Sequence, residues 1–390
     1  MKRLSIFFLS LLLSVVAGAQ DRAKVVCGPY LQNVTTNSFT VMWETDIDAL
    51  AWVEIAPDSG DHWYNRQRER YYEDNGTGLL PLSRLHKVTI SGLEPGTSYR
   101  YRIMMKGLKE YKGPGNVTYT RETGSDVFRK KPFKASTLKE NYDTLRFCVL
   151  NDIHQKDSLL GVLLSKAGKS DFVVFNGDMS NDIMTEDKIS NCYMQTAAKV
   201  LGGSTPLYVF RGNHDYRGRD AYLWPQHFSS SSGKPYSAFS YGPFYFIGLD
   251  SGEDKPDNDI EYSGLYNTLP YLQEEAAWLK EIVGSKEFLE SKVRIVFAHI
   301  PPDADGWQGG RNMSEVFVPV LNAAGIDLMI CGHTHRFSFD EAGAGRPGVG
   351  FPVWINANLE RLDAVLTADG SISLESYNTE GLLTHSVSIK

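Results

Sequence analysis

An all-β sandwich followed by an α/β domain is the fold class this sequence predicts. Up to about residue 138, short alternating apolar runs are separated by Gly, Pro and Asn turns. From Leu145 onward, buried-type runs of a few apolar residues alternate with longer helical stretches. Aromatic residues make up 12%, with 20 Tyr and 7 Trp, which favours β-rich packing over a helical bundle. A length of 390 residues suits about two domains. The 42% apolar and 22% charged content is globular and excludes disordered, collagenous and coiled-coil classes. A net charge of −7 without long like-charge runs predicts neither nucleic-acid binding nor a polybasic membrane patch.

The chain opens on Lys2 and Arg3, an apolar stretch from Leu4 to Val16, and the small-residue site Ala17-Gly18-Ala19. That three-part pattern predicts a signal peptide over residues 1–19 and export to the periplasm or the exterior. The apolar part is too short for a membrane span, and no later stretch is long enough either, so no integral span is expected. Four cysteines follow: Cys27, Cys148, Cys192 and Cys331. Cys148 and Cys331 sit inside strand-like runs and read as buried free thiols rather than staples.

Residues 24–138 carry the β signal. Runs occur at Ser38 to Trp43, Ala51 to Ile55, His86 to Ile90, Ser98 to Met104 and Val117 to Thr120. Between two of them, Leu93-Glu94-Pro95-Gly96-Thr97-Ser98-Tyr99 has the layout of a tyrosine corner, in which a hydroxyl pins an interstrand turn. The segment resembles a fibronectin type III-like sandwich. Residues 124–144, with Arg129-Lys130-Lys131-Pro132, read as a late loop, a last strand and a linker. Beyond Leu145, helical stretches are expected at Leu269 to Val283 and Met313 to Ala324. Residues 351–390 return to short strands around the turns Asp369-Gly370 and Glu380-Gly381.

Five apolar runs end in polar, metal-competent residues. Phe147 to Leu150 leads to Asn151-Asp152-Ile153-His154, and Phe172 to Phe175 to Asn176-Gly177-Asp178. Leu207 to Phe210 leads to Arg211-Gly212-Asn213-His214-Asp215. Val293 to Ala298 leads to His299, and Leu328 to Cys331 to Gly332-His333-Thr334-His335. Ligands in α/β sheets bind beyond the carboxyl ends of strands, so five such ends on one rim point to a metal cluster. Residues two apart in an extended segment point the same way, which lets Asp152 with His154, and His333 with His335, face one site. Gly177, Gly212 and Gly332 precede ligands where the chain must turn and approach closely. Mixed Asp and His donors suit transition metals better than Ca²⁺ or Mg²⁺.

These blocks, Asp-x-His, Gly-Asp, Gly-Asn-His-Asp, a lone His and Gly-His-x-His, resemble the calcineurin-like metallophosphoesterase superfamily. The resemblance implies a four-layer catalytic domain over residues 145–390, two mixed sheets flanked by helices. It implies two divalent or trivalent transition-metal ions, of iron, manganese or zinc. Asp152, His154, Asp178 and His335 would hold one ion. Asp178, Asn213, His299 and His333 would hold the other, with Asp178 bridging. His214 would face the substrate and Asp215 would orient it.

A sandwich placed before such a domain resembles purple acid phosphatases, as do Gly28-Pro29-Tyr30-Leu31-Gln32 and the Leu-x-Pro-Gly-Thr-x-Tyr segment. The active-site blocks depart from that kinship: the purple enzymes have Gly where His154 stands and a ligating Tyr where Asn181 stands. The resemblance therefore implies an exported phosphoesterase acting on a small phosphate ester, most simply a monoester. A metal-bridging hydroxide would attack phosphorus, and His214 would act as general acid. A phosphodiesterase or nucleotidase fits the same blocks. A secreted glycan- or protein-binding protein with a vestigial site is a reading of another class, opposed by the completeness of the blocks. Arg217 and Arg311, on loops after the third and fourth blocks, are candidates for phosphate clamping. Tyr216, Arg219, Trp307, Gln308 and Asn312 share those loops, and Asp250 ends a further apolar run.

Overall fold

The computed structural model describes residues 22–125 and 131–389. The signal peptide expected over residues 1–19 and the Arg129-Lys130 part of the expected linker lie outside the described residues. The first eight strands are β1 (Val25–Gln32), β2 (Phe39–Pro57), β3 (Glu69–Tyr72), β4 (Ser83–Ile90), β5 (Ser98–Gly113), β6 (Asn116–Tyr119), β7 (Thr123–Gly124) and β8 (Phe133–Ser136). They build an N-terminal β-sandwich, as the alternating runs predict.

Its long strand β2 differs from expectation. The sequence suggests two strands, because Thr45-Asp46-Ile47-Asp48 breaks the alternation, yet the chain stays extended for 19 residues. Partners on both sides explain this. The first half of β2 pairs with β1 and β4, and the second half with β3 and β5. The register against β4 shifts between Glu44 and Ala49, which absorbs the irregularity. The tyrosine corner forms as expected: the Tyr99 hydroxyl accepts from the Glu94 backbone N–H at 2.9 Å.

The C-terminal part contains β9 (Thr144–Leu150), β10 (Phe172–Asn176), β11 (Leu207–Phe210), β12 (Ser237–Tyr241), β13 (Phe244–Gly248) and β14 (Val293–Phe297). It continues with β15 (Leu328–Cys331), β16 (Ser338–Asp340), β17 (Val353–Ile355), β18 (Glu360–Thr367), β19 (Ile372–Asn378) and β20 (Leu383–Ile389). Two six-stranded mixed sheets result, in the orders β11-β10-β9-β18-β19-β20 and β12-β13-β14-β15-β17-β16. Side-chain alternation assigns each strand two faces. Leu145, Phe147, Val149, Phe172, Phe246, Phe297 and Trp354 fill the space between the sheets. Cys148, Leu150, Val173 and Phe175 face outward onto helix Asp157–Ser165 and the helical segment through Leu201. Ile247, Val296, Met329 and Cys331 face helix Thr268–Val283 and the helical segment ending at Ala324. Helices, sheet, sheet, helices are the four layers expected, and the predicted fold class is borne out.

The second expected helix begins earlier than its sequence pattern, at Gln308 rather than Met313. Gly309 and Gly310 hide its first turn from a propensity reading. A Cβ on Gly309 would lie 2.6 Å from Ile300 Cδ1, so the backbone packs where no side chain fits. All four cysteines are free, and Cys27, Cys148 and Cys331 are buried. Among the described residues, no helix is long and apolar enough to cross a membrane. The sandwich is tied to the C-terminal part by the Tyr101 hydroxyl on Gly203 O at 2.6 Å and the Tyr30 hydroxyl on His227 O at 2.9 Å.

Tyr99→Phe is expected to lower stability by about 1 kcal/mol, the usual net worth of one hydrogen bond. Urea unfolding followed by tryptophan fluorescence measures this. An unchanged midpoint would show that the corner does not hold the turn.

Candidate metal centre

Strands β9, β10 and β11 run parallel, and so do β13, β14, β15 and β17. The carboxyl ends of β9, β10, β11, β14 and β15 open on one rim, and the chain turns at once on leaving them. Asp152 (φ 53°), His154 (50°), Asp178 (53°), His333 (71°) and His335 (61°) all adopt the left-handed region. Asp and His enter that region more readily than branched residues, but each such residue still costs about 1–3 kcal/mol. Interlocked backbone bonds hold these turns: Asp152 N on Gly177 O, His154 N on Asp178 O and Gly332 N on His299 O, each 3.0 Å.

The three glycines are explained by close approach, and only Gly177, at φ 89°, also needs its conformation. A Cβ there would stand 2.4 Å from His299 Nδ1. On Gly212 it would stand 2.3 Å from Asp178 Oδ1, and on Gly332 2.7 Å from Asp152 Oδ2.

Two donor groups converge. Asp152, His154 and His335 form one; Asp178, His299 and His333 form the other, each with donor atoms within 4.8 Å of one another. His335 Nε2 is 3.2 Å from Asp152 Oδ1, and His154 Nε2 is 3.0 Å from His335 Nε2. His299 Nε2 is 3.1 Å from Asp178 Oδ2, and Asn213 Oδ1 is 3.0 Å from His333 Nδ1. Asp178 Oδ2 also lies 3.9 Å from His154 Nε2, between the two groups. Ring orientation is set from behind. His299 Nδ1 meets Asn176 O at 2.8 Å and His154 Nδ1 meets Asn181 Oδ1 at 3.0 Å, which turns both Nε2 atoms toward the centre.

The donor set fits metal ions. Asp152 Oδ1 and His299 Nε2 are buried and lack hydrogen-bond partners, and both point into the shared space. His299 is 3.1 Å from Asp178 but misaligned for a hydrogen bond with it. Such orphans are costly unless a cation or proton meets them.

Electrostatics without metal match this picture. Burial lowers the proton affinity of His299, but the Asp178 and Asp152 carboxylates outweigh it and raise its pKa to about 10. Burial raises Asp178 and Asp152, yet the His299 charge carries both below their ordinary values. Burial and then His299 push His333 down to about 4, and burial lowers His154. His335 is raised chiefly by the Asp152 carboxylate 3.2 Å away.

The neighbouring residues revise one expectation. Asp215 does not touch the His214 ring. Its Oδ2 accepts from the backbone N–H of Asp178 and of Gly212, both at 3.0 Å, and its Oδ1 from the Ser180 hydroxyl at 3.0 Å. As a buried acceptor-only group it is drawn to the nearest unpaired backbone donors, so it braces the loop that carries Asp178. Burial and the Asp178 charge raise its pKa to about 6. His214 is oriented instead by Asn181, whose carbonyl accepts from Nδ1 at 2.9 Å. Its Nε2 meets Arg217 Nη1 at 3.1 Å. His214 also lies within reach of His154 and Asp178. Both its ring nitrogens are engaged, whereas His299 Nε2 has no hydrogen-bond partner.

Arg217 is further held by Glu253 at 3.0 Å and Asp254 at 3.1 Å. Arg311 bonds within its own segment, to Gly306 O at 2.7 Å and Gln308 Oε1 at 3.1 Å. Asp250 is buried and accepts from Arg211 Nη2 at 2.6 Å and from the Tyr216 and Tyr271 hydroxyls at 2.9 Å. Sequence reasoning missed Asn356. It donates to Asn151 Oδ1 at 2.8 Å, and Asn151 Nδ2 bonds Asp152 Oδ2 at 2.6 Å. The available signal was the apolar run Val353 to Ile355 ending in Asn356, the same pattern as the five blocks.

Comparison with known proteins gives two family matches. The model of calcineurin-like phosphoesterases matches residues 145–337, and that of the purple acid phosphatase N-terminal domain matches residues 28–127. Among solved structures, the chain is similar to a purple acid phosphatase isolated from yellow lupin (Lupinus luteus) seeds. The TM-score is 0.63 at 13% identity, over 93% of this chain and 74% of that one, a likeness of fold. A conserved predicted phosphoesterase from Streptococcus pneumoniae TIGR4 aligns with 64% of this chain and 99% of its own at 11% identity and TM-score 0.31. No curated protein matches the chain.

The raised pKa of His299 has a consequence for the metal-free protein. The folded state binds this proton more tightly than the unfolded state, so the stabilisation is full below pH 6.5 and is lost as pH rises toward about 10. Chelated protein should therefore lose stability between those pH values, and His299→Ala should flatten that slope. Calorimetric unfolding across the range measures both; a slope unchanged by the substitution would place the proton elsewhere.

Proposed function

We propose that this chain, which belongs to the calcineurin-like phosphoesterases and is a metal-dependent phosphoester hydrolase, is an exported dinuclear phosphomonoesterase. The observation that carries the reading is the convergence of Asp152, His154 and His335 with Asp178, His299 and His333 around two orphaned buried atoms. Asp152, His154, Asp178 and His335 would hold one ion of iron, manganese or zinc, and Asp178, Asn213, His299 and His333 the other. Bound ions supply Lewis acidity and make hydroxide available near neutral pH.

The chain's own residues do the rest. His214 stands beside the ligands with Nδ1 donating to the Asn181 carbonyl, so Nε2 is the nitrogen that faces the ester. Once protonated, Nε2 gives its proton to the leaving alkoxide oxygen. A protonated Nε2 no longer accepts from Arg217 Nη1, which would donate to a phosphate oxygen beside it while Nε and Nη2 stay on Glu253 and Asp254. Arg311 would add a phosphate contact from the short helix Gln308–Asn312 that follows His299. Asp215 acts on Asp178 through the backbone. Residues 1–19 would direct export, 24–138 form a fibronectin type III-like domain and 145–390 the catalytic domain. The substrate is a small phosphate ester, with no nucleic acid partner.

Asp178→Asn is expected to lose both metal and turnover, read by elemental analysis and hydrolysis of a chromogenic monoester and diester. Full occupancy at normal rate would overturn the shared-ligand assignment, and faster diester turnover the monoester reading.

His214→Ala is expected to retain metal and lose roughly 10²–10⁴-fold in kcat on alkyl phosphates. The loss should be smaller on nitrophenyl phosphate, whose leaving group needs little protonation. An equal loss on both would assign His214 to charge stabilisation instead.

A further inference from the structure

Beyond Arg217 the structure opens into a cleft of about 850 Å³. It is walled by the segment 216–222 and the segment 261–271. Arg217 connects it to the centre, since this residue lines the cleft and its Nη1 lies 3.1 Å from His214 Nε2. An ester held at the metals with its leaving oxygen at His214 would therefore direct its alcohol half here.

The chemistry of the walls is unusual for a polar cleft. Five tyrosines line it, and four have their hydroxyls committed to protein partners. Tyr216 and Tyr271 bond Asp250 at 2.9 Å, Tyr262 bonds Glu253 at 2.7 Å, and Tyr266 bonds Tyr216 O at 2.9 Å. Tyr262 is buried and Arg211 covers one face of Tyr216, so what Tyr266 and Tyr271 leave for a ligand beside the exposed Tyr222 is ring surface, not hydroxyl. Most of the wall charges are paired as well. Arg211 pairs with Asp250, Arg217 with Glu253 and Asp254, and Glu261 with Lys255 at 2.5 Å, while Arg219, 3.5 Å from Asp220, stays at the solvent-exposed rim. At the rim, Tyr222 and Leu265 remain 73% and 85% exposed, large apolar groups that the fold itself does not cover.

We infer that this cleft is the leaving-group subsite and that it takes an uncharged alcohol bearing a planar aromatic ring, such as a nucleoside or an aryl alcohol. The inference rests on the phosphoesterase reading for its chemistry and on the cleft alone for its ligand. Walls whose charges are mostly paired disfavour a second phosphate or an acidic peptide. Ring faces reward stacking, which discriminates planar rings from glycerol-like alcohols. Removing one stacking aromatic typically weakens binding of a base by about 5- to 150-fold.

The test has two arms. In the first, the metal-loaded protein is assayed with adenosine 5′-monophosphate, phenyl phosphate, glucose 6-phosphate and glycerol 2-phosphate. The two planar-ring esters are expected to show kcat/KM about tenfold or more above the other two. Tyr222→Ala, alone and with Leu265→Ser, should shrink that ratio, and Tyr222→Phe should keep it. Equal kcat/KM for all four esters, a preference for glucose 6-phosphate, or a ratio untouched by the double substitution would overturn the inference. In the second arm, adenosine and glycerol are titrated by calorimetry into the same protein without phosphate. Adenosine should bind, and Tyr222→Ala should weaken it, whereas Tyr111→Ala on the N-terminal sandwich should not. If no ester is hydrolysed yet adenosine binds in this way, the phosphoesterase reading fails and the subsite stands. If esters are hydrolysed and adenosine does not bind, the subsite fails alone.

Discussion

Two buried carboxylates without a permanent cation set the terms for the rest of this molecule. Asp152 and Asp178 are almost wholly inaccessible, and among the described residues their charged partners are histidines only. Burying such charges unpaired is strongly unfavourable, so the site requires either protons on its histidines or metal ions between them. The raised pKa of His299, which lies between both carboxylates, corresponds to the first case. The second case uses the same geometry, because the atoms left without partners, Asp152 Oδ1 and His299 Nε2, are those a metal would take. Proton and metal are competitors for one electrostatic well.

Holding that well open requires strain and close approach. Five candidate ligand residues sit at positive φ, and three glycines abut candidate ligand side chains so tightly that a Cβ would overlap them. Neither feature would persist in an isolated loop. Each loop is anchored by a strand whose residues are buried between two sheets, Phe147, Phe172 and Phe297 among them. Asp215 adds a local brace, and its burial beside Asp178 is itself unfavourable, as its raised pKa records. The stacked sheets thus do more than display the ligands: their packing supplies the rigidity that keeps repelling carboxylates in place.

Much of this is legible in the sequence because the signal is local. A short apolar run followed by Asp, Asn or His states both the strand and the turn, and all five runs proved to be strands ending at the centre. The glycines were legible as close approaches, although not which ligand each one meets. What escaped was decided by partners distant in the chain. The continuity of β2 depends on β1, β3, β4 and β5, none of which its own pattern reveals. Asp215 stands next to His214 in the sequence, but a turn of short helix points the carboxylate inward and the ring outward. The Asn151–Asn356 pair joins residues 205 positions apart. Glu253 and Asp254, which fix Arg217, belong to no recognisable motif at all.

That last pair bears on how the centre meets its surroundings. Arg217 spends two of its nitrogens on buried carboxylates and keeps Nη1 toward His214. A guanidinium so tethered cannot fold back into solvent, and its planar fork fixes the direction of the remaining donor. A lysine would offer the same charge without that direction. Preorganised donors of this kind cost little reorganisation when charge develops on an ester oxygen, which is where electrostatic catalysis gains most. The same tether neutralises Arg217 on its far side, where it faces the tyrosine-lined cleft. One residue therefore presents a donor to His214 and a paired charge to the cleft beyond it, and the carboxylates behind it make that division possible.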